Sequence, residues 1–247
     1  MRTFGLIGFP LSHSFSKKFF TEKFNNEKIA GCRYELFPLE RIEQFVDLLS
    51  SQPELHGVNV TIPYKVQVLP FLDEVDDAAK EIGAVNCVHI GRKNAERWIK
   101  GYNTDAYGFA ESLKPLLKNH HKKALIFGDG GAAKAVKYVL NQLQILYLVV
   151  TRNPTPDTVL YSAVTENILD EYKLLINTTP LGMSPNFDSC PLIPYQFVTD
   201  QHLAYDLVYN PEETKFLSLV KAQGGTIKNG LEMLYLQAER SWYIWNT

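Results

Sequence analysis

Gly128-Asp129-Gly130-Gly131-Ala132-Ala133 lies between an apolar, β-leaning run, Ala124 to Gly128, and a run of helical periodicity, Gly131 to Asn141. A second strand-like run, Ile145 to Thr151, comes next. Strand, helix and strand in that order make a βαβ unit, which implies a parallel sheet. The loop fits G-x-G-x-x-G/A, with Gly128 and Gly130 as the glycines and Ala133 in the last place. Such a loop turns tightly, lets backbone approach a pyrophosphate, and aims helix N-terminal amides at negative charge. In this context the pattern favours a dinucleotide site over a purely structural glycine turn.

The residues just after the second strand bear on the kind of dinucleotide. A site for NAD would place Asp or Glu there for the ribose hydroxyls, whereas this chain has Thr151-Arg152-Asn153. A guanidinium suits a 2'-phosphate and so favours NADP. An arginine simply solvated in a loop is the other reading.

Working outward, the octapeptide Gly101-Tyr102-Asn103-Thr104-Asp105-Ala106-Tyr107-Gly108 stands where a strand-like run ends and a helical run through Leu117 begins. The chain before it has no phosphate-binding loop, so it marks a handover between two domains. Thr104 and Asp105 are residue types that cap a helix and complement its dipole.

The first half reads as β-α-β-α-β with an antiparallel addition. Strands are expected at Thr3 to Gly8, Arg33 to Pro38 and Leu55 to Val60, with helices at Lys17 to Asn25 and Leu39 to Leu49. Glu74 to Ile82 is expected to be helical, and Ala84 to Ile90 and Arg97 to Gly101 to flank a polar turn around Arg92-Lys93-Asn94. Beyond the βαβ unit, Asn153 to Tyr172 is poorly periodic, with Pro154 and Pro156. Leu174 to Thr178, Leu203 to Val208 and Gly225 to Lys228 read as strands, and Thr214 to Gln223 and Leu231 to Trp245 as helices.

At 247 residues the chain is long enough for two modest domains, and 45% apolar content, 21% charged content and a net charge of -2 describe a soluble globular protein. The absence of a basic excess argues against nucleic acid as a partner. Cys32, Cys87 and Cys190 are an odd number and far apart, with no spacing for zinc or a redox dithiol, so no metal is expected and the thiols read as reduced. No segment resembles a leader or a membrane span. A cytoplasmic protein is expected.

A second cluster of chemistry is Asn59-Val60-Thr61-Ile62-Pro63-Tyr64-Lys65, at the carboxyl end of a predicted strand, where open α/β sheets place their ligands. A hydrated surface lysine is the plainer reading of Lys65. Ser14 and Ser16 suit helix capping, and His13 a satisfied structural histidine.

The order of motifs from end to end resembles the shikimate dehydrogenase family. The matching stretches are Gly8-Phe9-Pro10 with His13-Ser14-Phe15-Ser16, Asn59 to Lys65, Gly83-Ala84-Val85-Asn86, Gly101 to Gly108, and Gly128 to Ala133. They continue through Asn177-Thr178-Thr179-Pro180-Leu181-Gly182-Met183, Asp206-Leu207-Val208-Tyr209-Asn210-Pro211, and Asn229-Gly230-Leu231 to Met233 with Gln237-Ala238.

The resemblance implies an α/β protein with an N-terminal substrate domain, residues 1–104 with 231–247, a Rossmann-like NADP-binding domain, residues 105–230, and an active site in the cleft. It implies NADPH-dependent reduction of 3-dehydroshikimate to shikimate. Ser14 and Ser16 would meet the substrate carboxylate; Thr61, Asn86 and Gln237 its ring hydroxyls; and Asn59 and Tyr209 would join that pocket. Lys65 and Asp105 would form the catalytic pair. Gly128, Asp129, Gly130, Gly131, Ala132, Ala133 and Arg152 would hold NADP, with Asn177, Thr178 and Met183 near it. A monomer or a homodimer is expected. A quinate/shikimate dehydrogenase with relaxed cofactor use and a non-catalytic shikimate-binding relative are the alternatives; the presence of both Lys65 and Asp105 speaks against the latter.

Four positions depart from the family pattern. Asp129 puts a carboxylate inside the phosphate loop, and Pro154-Thr155-Pro156 stands where a second arginine is common. Lys17 replaces a usual proline, and Cys87 a usual threonine.

Overall fold

The computed structural model describes residues 1–11, 14–93 and 96–247; Ser12, His13 and Asn94, which belong to the first loop and the polar turn of the sequence pattern, lie outside them. The described chain divides into two compact units, residues 1–104 with 237–247, and residues 105–236. Among the described residues no helix is long and apolar enough to cross a membrane.

The first unit begins β1 (Arg2–Gly8), α1 (Phe15–Asn26), β2 (Cys32–Pro38), α2 (Gln44–Ser51) and β3 (Leu55–Val60). It continues β4 (Glu74–Val75), α3 (Asp77–Ile82), β5 (Cys87–Lys93) and β6 (Glu96–Tyr102). Among the described residues these strands form one sheet in the order β2-β1-β3-β5-β6-β4. β1 pairs in parallel with β2 and β3, while β5 is antiparallel to both β3 and β6.

Three elements differ from the sequence reading. β5 runs Cys87–Lys93 rather than Ala84 to Ile90, so Arg92 and Lys93 of the expected polar turn belong to the strand. α2 starts at Gln44 rather than Leu39, because residues 41–46 first make tighter i to i+3 turns and the Gln44 side chain accepts the Arg41 amide at 3.1 Å. Leu39 and Ile42 are buried all the same, which is the periodicity the sequence displays. Glu74–Val75 is a short strand on β6, and the helix waits for Asp76, whose carboxylate accepts the Ala78 amide at 3.1 Å.

The second unit contains most of α4 (Thr104–Leu113), then β7 (Lys123–Phe127), α5 (Gly131–Gln142), β8 (Leu146–Thr151), β9 (Thr158–Leu160) and α6 (Glu166–Glu171). After these come β10 (Leu174–Asn177), β11 (Leu203–Asp206), α7 (Lys215–Ala222), β12 (Thr226–Lys228) and the start of α8 (Leu231–Trp245). The poorly periodic stretch after Asn153 thus contains β9 and α6. Among the described residues this sheet is wholly parallel, in the order β12-β11-β10-β7-β8-β9. That is the doubly wound order, with its reversal between β7 and β10. Phe127 is in register with Val150 and Asn177, and Asn177 with Asp206, so the residues after these strands form one edge. Central strands buried on both faces read as unbroken apolar runs, as Ala124 to Phe127 and Leu174 to Ile176 do.

From Gln237 onward α8 belongs to the first unit. Its end is held by aromatic packing. The Trp245 ring stacks on Phe4 with centroids 5.0 Å apart, and its indole N–H donates to the Val88 carbonyl at 2.9 Å. A Cβ at Gly57 would lie 2.2 Å from that indole nitrogen, so β3 needs a glycine there. Phe20 stacks on Tyr34 at 4.6 Å in the same aromatic cluster. Truncating Trp245 opens a large cavity and removes the indole hydrogen bond from the Val88 carbonyl. Trp245→Ala is therefore expected to lower unfolding free energy by about 3–5 kcal/mol in urea titration; a loss within about 0.5 kcal/mol would show that the helix end is not part of this core.

Candidate functional site

In the second unit the sheet reversal opens onto a pocket of about 770 Å³. Its walls include Gly128, Asp129 and Gly130 after β7, Thr151, Arg152 and Asn153 at the end of β8, and Thr178 to Leu181 after β10. Tyr161, Cys190, Leu192 and Lys215 close other sides. Gly128 has φ +97 and a Cβ there would lie 2.7 Å from Thr179 Cγ2, so two loops can meet at this point only through a glycine. Gly130 is the N-cap of α5 and makes no side-chain capping bond. A Cβ at Gly130 or Gly131 would meet nothing within 4 Å. The helix N-terminus therefore opens onto space, and this geometry fits phosphate groups. Asp129 is hydrogen-bonded to Lys137 on α5, so its charge is compensated from within the helix.

Beneath the pocket, one carboxylate organises the loops. Asp206, fully buried at the end of β11, accepts the Val208 amide at 3.0 Å, the Thr214 hydroxyl at 2.6 Å and Asn177 Nδ2 at 3.0 Å. Thr214 is in turn the N-cap of α7, its hydroxyl accepting from Leu217. Asn177 Oδ1 accepts the Thr179 amide at 3.1 Å and its hydroxyl at 2.6 Å. Thr178 donates to the Phe127 carbonyl at 2.8 Å, tying this loop to the glycine loop. Burial pushes the Asp206 carboxyl up to about 6, against the opposing effect of the Thr214, Val208 and Asn177 hydrogen bonds.

The first unit contains a second buried polar network. Thr104 N–H donates to Asn86 Oδ1 at 2.6 Å, and Asn86 Nδ2 donates to the Thr104 hydroxyl at 3.0 Å. That hydroxyl lies 3.2 Å from Ser241 Oγ and 3.4 Å from Gln237 Oε1. Ser241 accepts from Asn59 Nδ2 at 2.9 Å and donates to the Gln237 carbonyl at 2.9 Å. Asn59 Nδ2 also reaches the Asn86 carbonyl at 3.3 Å, while Asn59 Oδ1 accepts the Tyr34 hydroxyl at 2.8 Å. Tyr34 is buried and has its hydroxyl pushed well above the usual range by burial, against the opposing effect of the nearby Ser16 side chain. Ser14 is the N-cap of α1, accepting the Lys17 amide at 3.3 Å.

Residues 6–88 match the model of the shikimate dehydrogenase substrate binding domain. The chain is 38% identical over 259 residues to a curated shikimate dehydrogenase (NADP(+)) of Clostridium beijerinckii, covering 99% of this chain and 92% of the relative. It is 36% identical over 264 residues to one of Desulforamulus reducens, covering 98% and 88%. This chain belongs to the shikimate dehydrogenase family. Among solved structures, the family's shikimate 5-dehydrogenase from Thermus thermophilus, in complex with NADP(H) and shikimate, is similar with a TM-score of 0.85 at 30% identity, over 99% of this chain and 93% of that one.

Of the residues that the family pattern assigns to a cofactor, Gly128, Asp129, Gly130, Arg152 and Thr178 line this pocket. Gly131, Ala132 and Ala133 form the first turn of α5. Asn177 lies buried beneath the loops, and Met183 is exposed in the turn closed by its amide on the Pro180 carbonyl at 3.2 Å. Of those assigned to a substrate, Asn59, Asn86 and Gln237 are buried in the first unit's network, and Ser16 lies near Tyr34. Thr61 and Lys65 lie half-buried in the turn after β3; Asp105 is half-buried in the first turn of α4, and Tyr209 is exposed after β11. Tyr34, Ser241 and Asp206 escape a sequence reading of function. Asp206 stands in a motif of the family, but neither it nor the two hydroxyls carries a local signal of its partners.

Because the Asp206 carboxyl sits at about 6 in the folded protein and near 3.8 when unfolded, the folded state holds the extra proton between those values. Its favourable contribution is complete below pH 4 and is lost as pH rises through 6. Relative to Asp206→Asn, the wild type is expected to lose on the order of 2–3 kcal/mol of unfolding free energy between pH 4 and pH 7. Paired urea titrations measure this; a difference independent of pH would mean an Asp206 that ionises as it does in the unfolded chain.

Proposed function

We propose that this chain catalyses the reversible reduction of 3-dehydroshikimate to shikimate with NADPH. The observation that carries the proposal is that the similarity to curated shikimate dehydrogenases (NADP(+)) spans 98–99% of the chain, so it takes in both units at once. In this reading residues 1–104 with 231–247 bind substrate, and residues 105–230 bind cofactor.

Gly128 to Ala133 would receive the cofactor's pyrophosphate at the start of α5, and Arg152 its 2'-phosphate. Bound there, NADPH supplies the hydride. The remaining demand is a proton on the carbonyl oxygen, and Lys65 is the donor, with Asp105 the other member of the catalytic pair. Ser14 and Ser16 bind the substrate carboxylate, and Thr61, Asn86 and Gln237 its ring hydroxyls, with Tyr209 a further substrate-binding residue. Both amide protons of Asn59 are committed, one to the Asn86 main-chain carbonyl and one to the Ser241 hydroxyl, so its part is to hold that backbone and that hydroxyl in position. A substrate lacking a matching hydroxyl leaves such groups unpaired, which gives discrimination for a polyol. Cys32, Cys87 and Cys190, half-buried or buried thiols outside any disulfide, suit a reducing cytoplasm.

The test is nicotinamide absorbance with shikimate and NADP; absence of turnover with either nicotinamide cofactor would sink the assignment. Lys65→Ala is expected to lower kcat by about 100-fold or more with a smaller change in KM, because proton donation acts in the transition state. An unchanged kcat would remove Lys65 from the mechanism.

A further inference from the structure

We propose that Lys137 is a positioning residue for the glycine loop: its ammonium holds the Asp129 carboxylate against α5 and keeps an uncompensated negative charge away from the cofactor's phosphates. The inference rests on the dinucleotide reading of the pocket. Asp129 lies between Gly128 and Gly130, lines the pocket and stands just before the first turn of α5. A carboxylate there competes for the same positive end of the helix that a phosphate needs. It also repels the phosphate directly, with an energy that grows as water is displaced from the pocket.

The structure supplies the remedy within one element. Lys137 lies eight residues on, about two turns along α5, and its Nζ donates to Asp129 Oδ1. The side chains are 26% and 38% exposed, so the pair is neither freely solvated nor sealed from salt. An ion pair of this exposure adds little to folding stability. Its consequence lies in the field at the loop: with Lys137 in place the segment presents amides and a neutralised carboxylate, and without it a net negative charge at the point of phosphate entry. The glycines at 130 and 131, whose Cβ positions are open, leave the loop no bulk with which to screen that charge.

The experiment measures NADP+ binding to the full chain by titration calorimetry at low and high salt, for wild type, Lys137→Met and Asp129→Asn/Lys137→Met. Lys137→Met is expected to weaken binding about fivefold to tenfold at low ionic strength, and less at high salt, where the exposed charge is screened. The double variant is expected to recover to within about twofold of wild type, because the charge that Lys137 answers is gone. A merely structural lysine would give neither the rescue nor the salt dependence. Unchanged binding in Lys137→Met, or a double variant as weak as the single one, overturns the proposal. If wild type binds NADP+ and oxidises shikimate while Lys137→Met binds equally well, only this inference fails; a wild type that binds no NADP+ removes the functional reading with it.

Discussion

Every polar group taken out of water must find a partner, and this constraint governs both units. Among the described residues no buried side-chain nitrogen or oxygen lacks one. In the first unit the requirement is met around Asn86 and Thr104, where the asparagine just before β5 caps the first amide of α4 from 18 residues away. Thr104 itself is not the cap that its residue type suggests. Its hydroxyl faces inward, toward Asn86, Gln237 and Ser241, and so joins three segments that are distant in sequence. Hydrogen bonds of this kind are individually modest, but removing one partner leaves another buried and unpaired.

The second unit meets the same requirement with a charge. Asp206 is surrounded by three donors at 2.6–3.0 Å, and the donors belong to the strand beside it, the loop after it and the helix beyond that loop. Since β7, β10 and β11 end in register, holding Asn177 and Thr214 on Asp206 also holds the loops that wall the pocket. The sheet places those loops along its carboxyl edge, and the buried carboxylate fixes their conformation. Binding groups supported in this way lose little freedom when a ligand arrives.

Much of the fold is legible in the sequence. Apolar runs bounded by glycine and proline mark β1, β3, β7 and β10, and Leu231 to Trp245 reads as α8 to the residue. The errors have local causes. The helical periodicity of Leu39 to Leu49 is real as burial but begins in tighter turns, and Asp76 halts what otherwise reads as a helix from Glu74. β9 and α6 escape because three and six residues give too short a window for periodicity to register. Asp129 shows the limit at the site. Its position in the phosphate loop is plain from sequence, but its charge is answered by Lys137, a residue that reads as an ordinary solvent-facing lysine on a helix.

The amino-acid sequence by itself determined the element types, the βαβ unit with its glycine loop, and the set of residues that marks the shikimate dehydrogenase family. These depend on hydrophobic period, turn chemistry and side-chain identity, all of which act over a few neighbouring residues. Tertiary structure alone decided which polar groups face one another: Tyr34 with Asn59, Ser241 with Thr104, Asp206 with Asn177 and Thr214. It also decided which residues wall the pocket, bringing Tyr161, Cys190 and Lys215 to the glycine loop's side of the sheet. The reason is that desolvation forces a pairing but does not name the partner. Only the packing of segments far apart in sequence determines which donor is within reach.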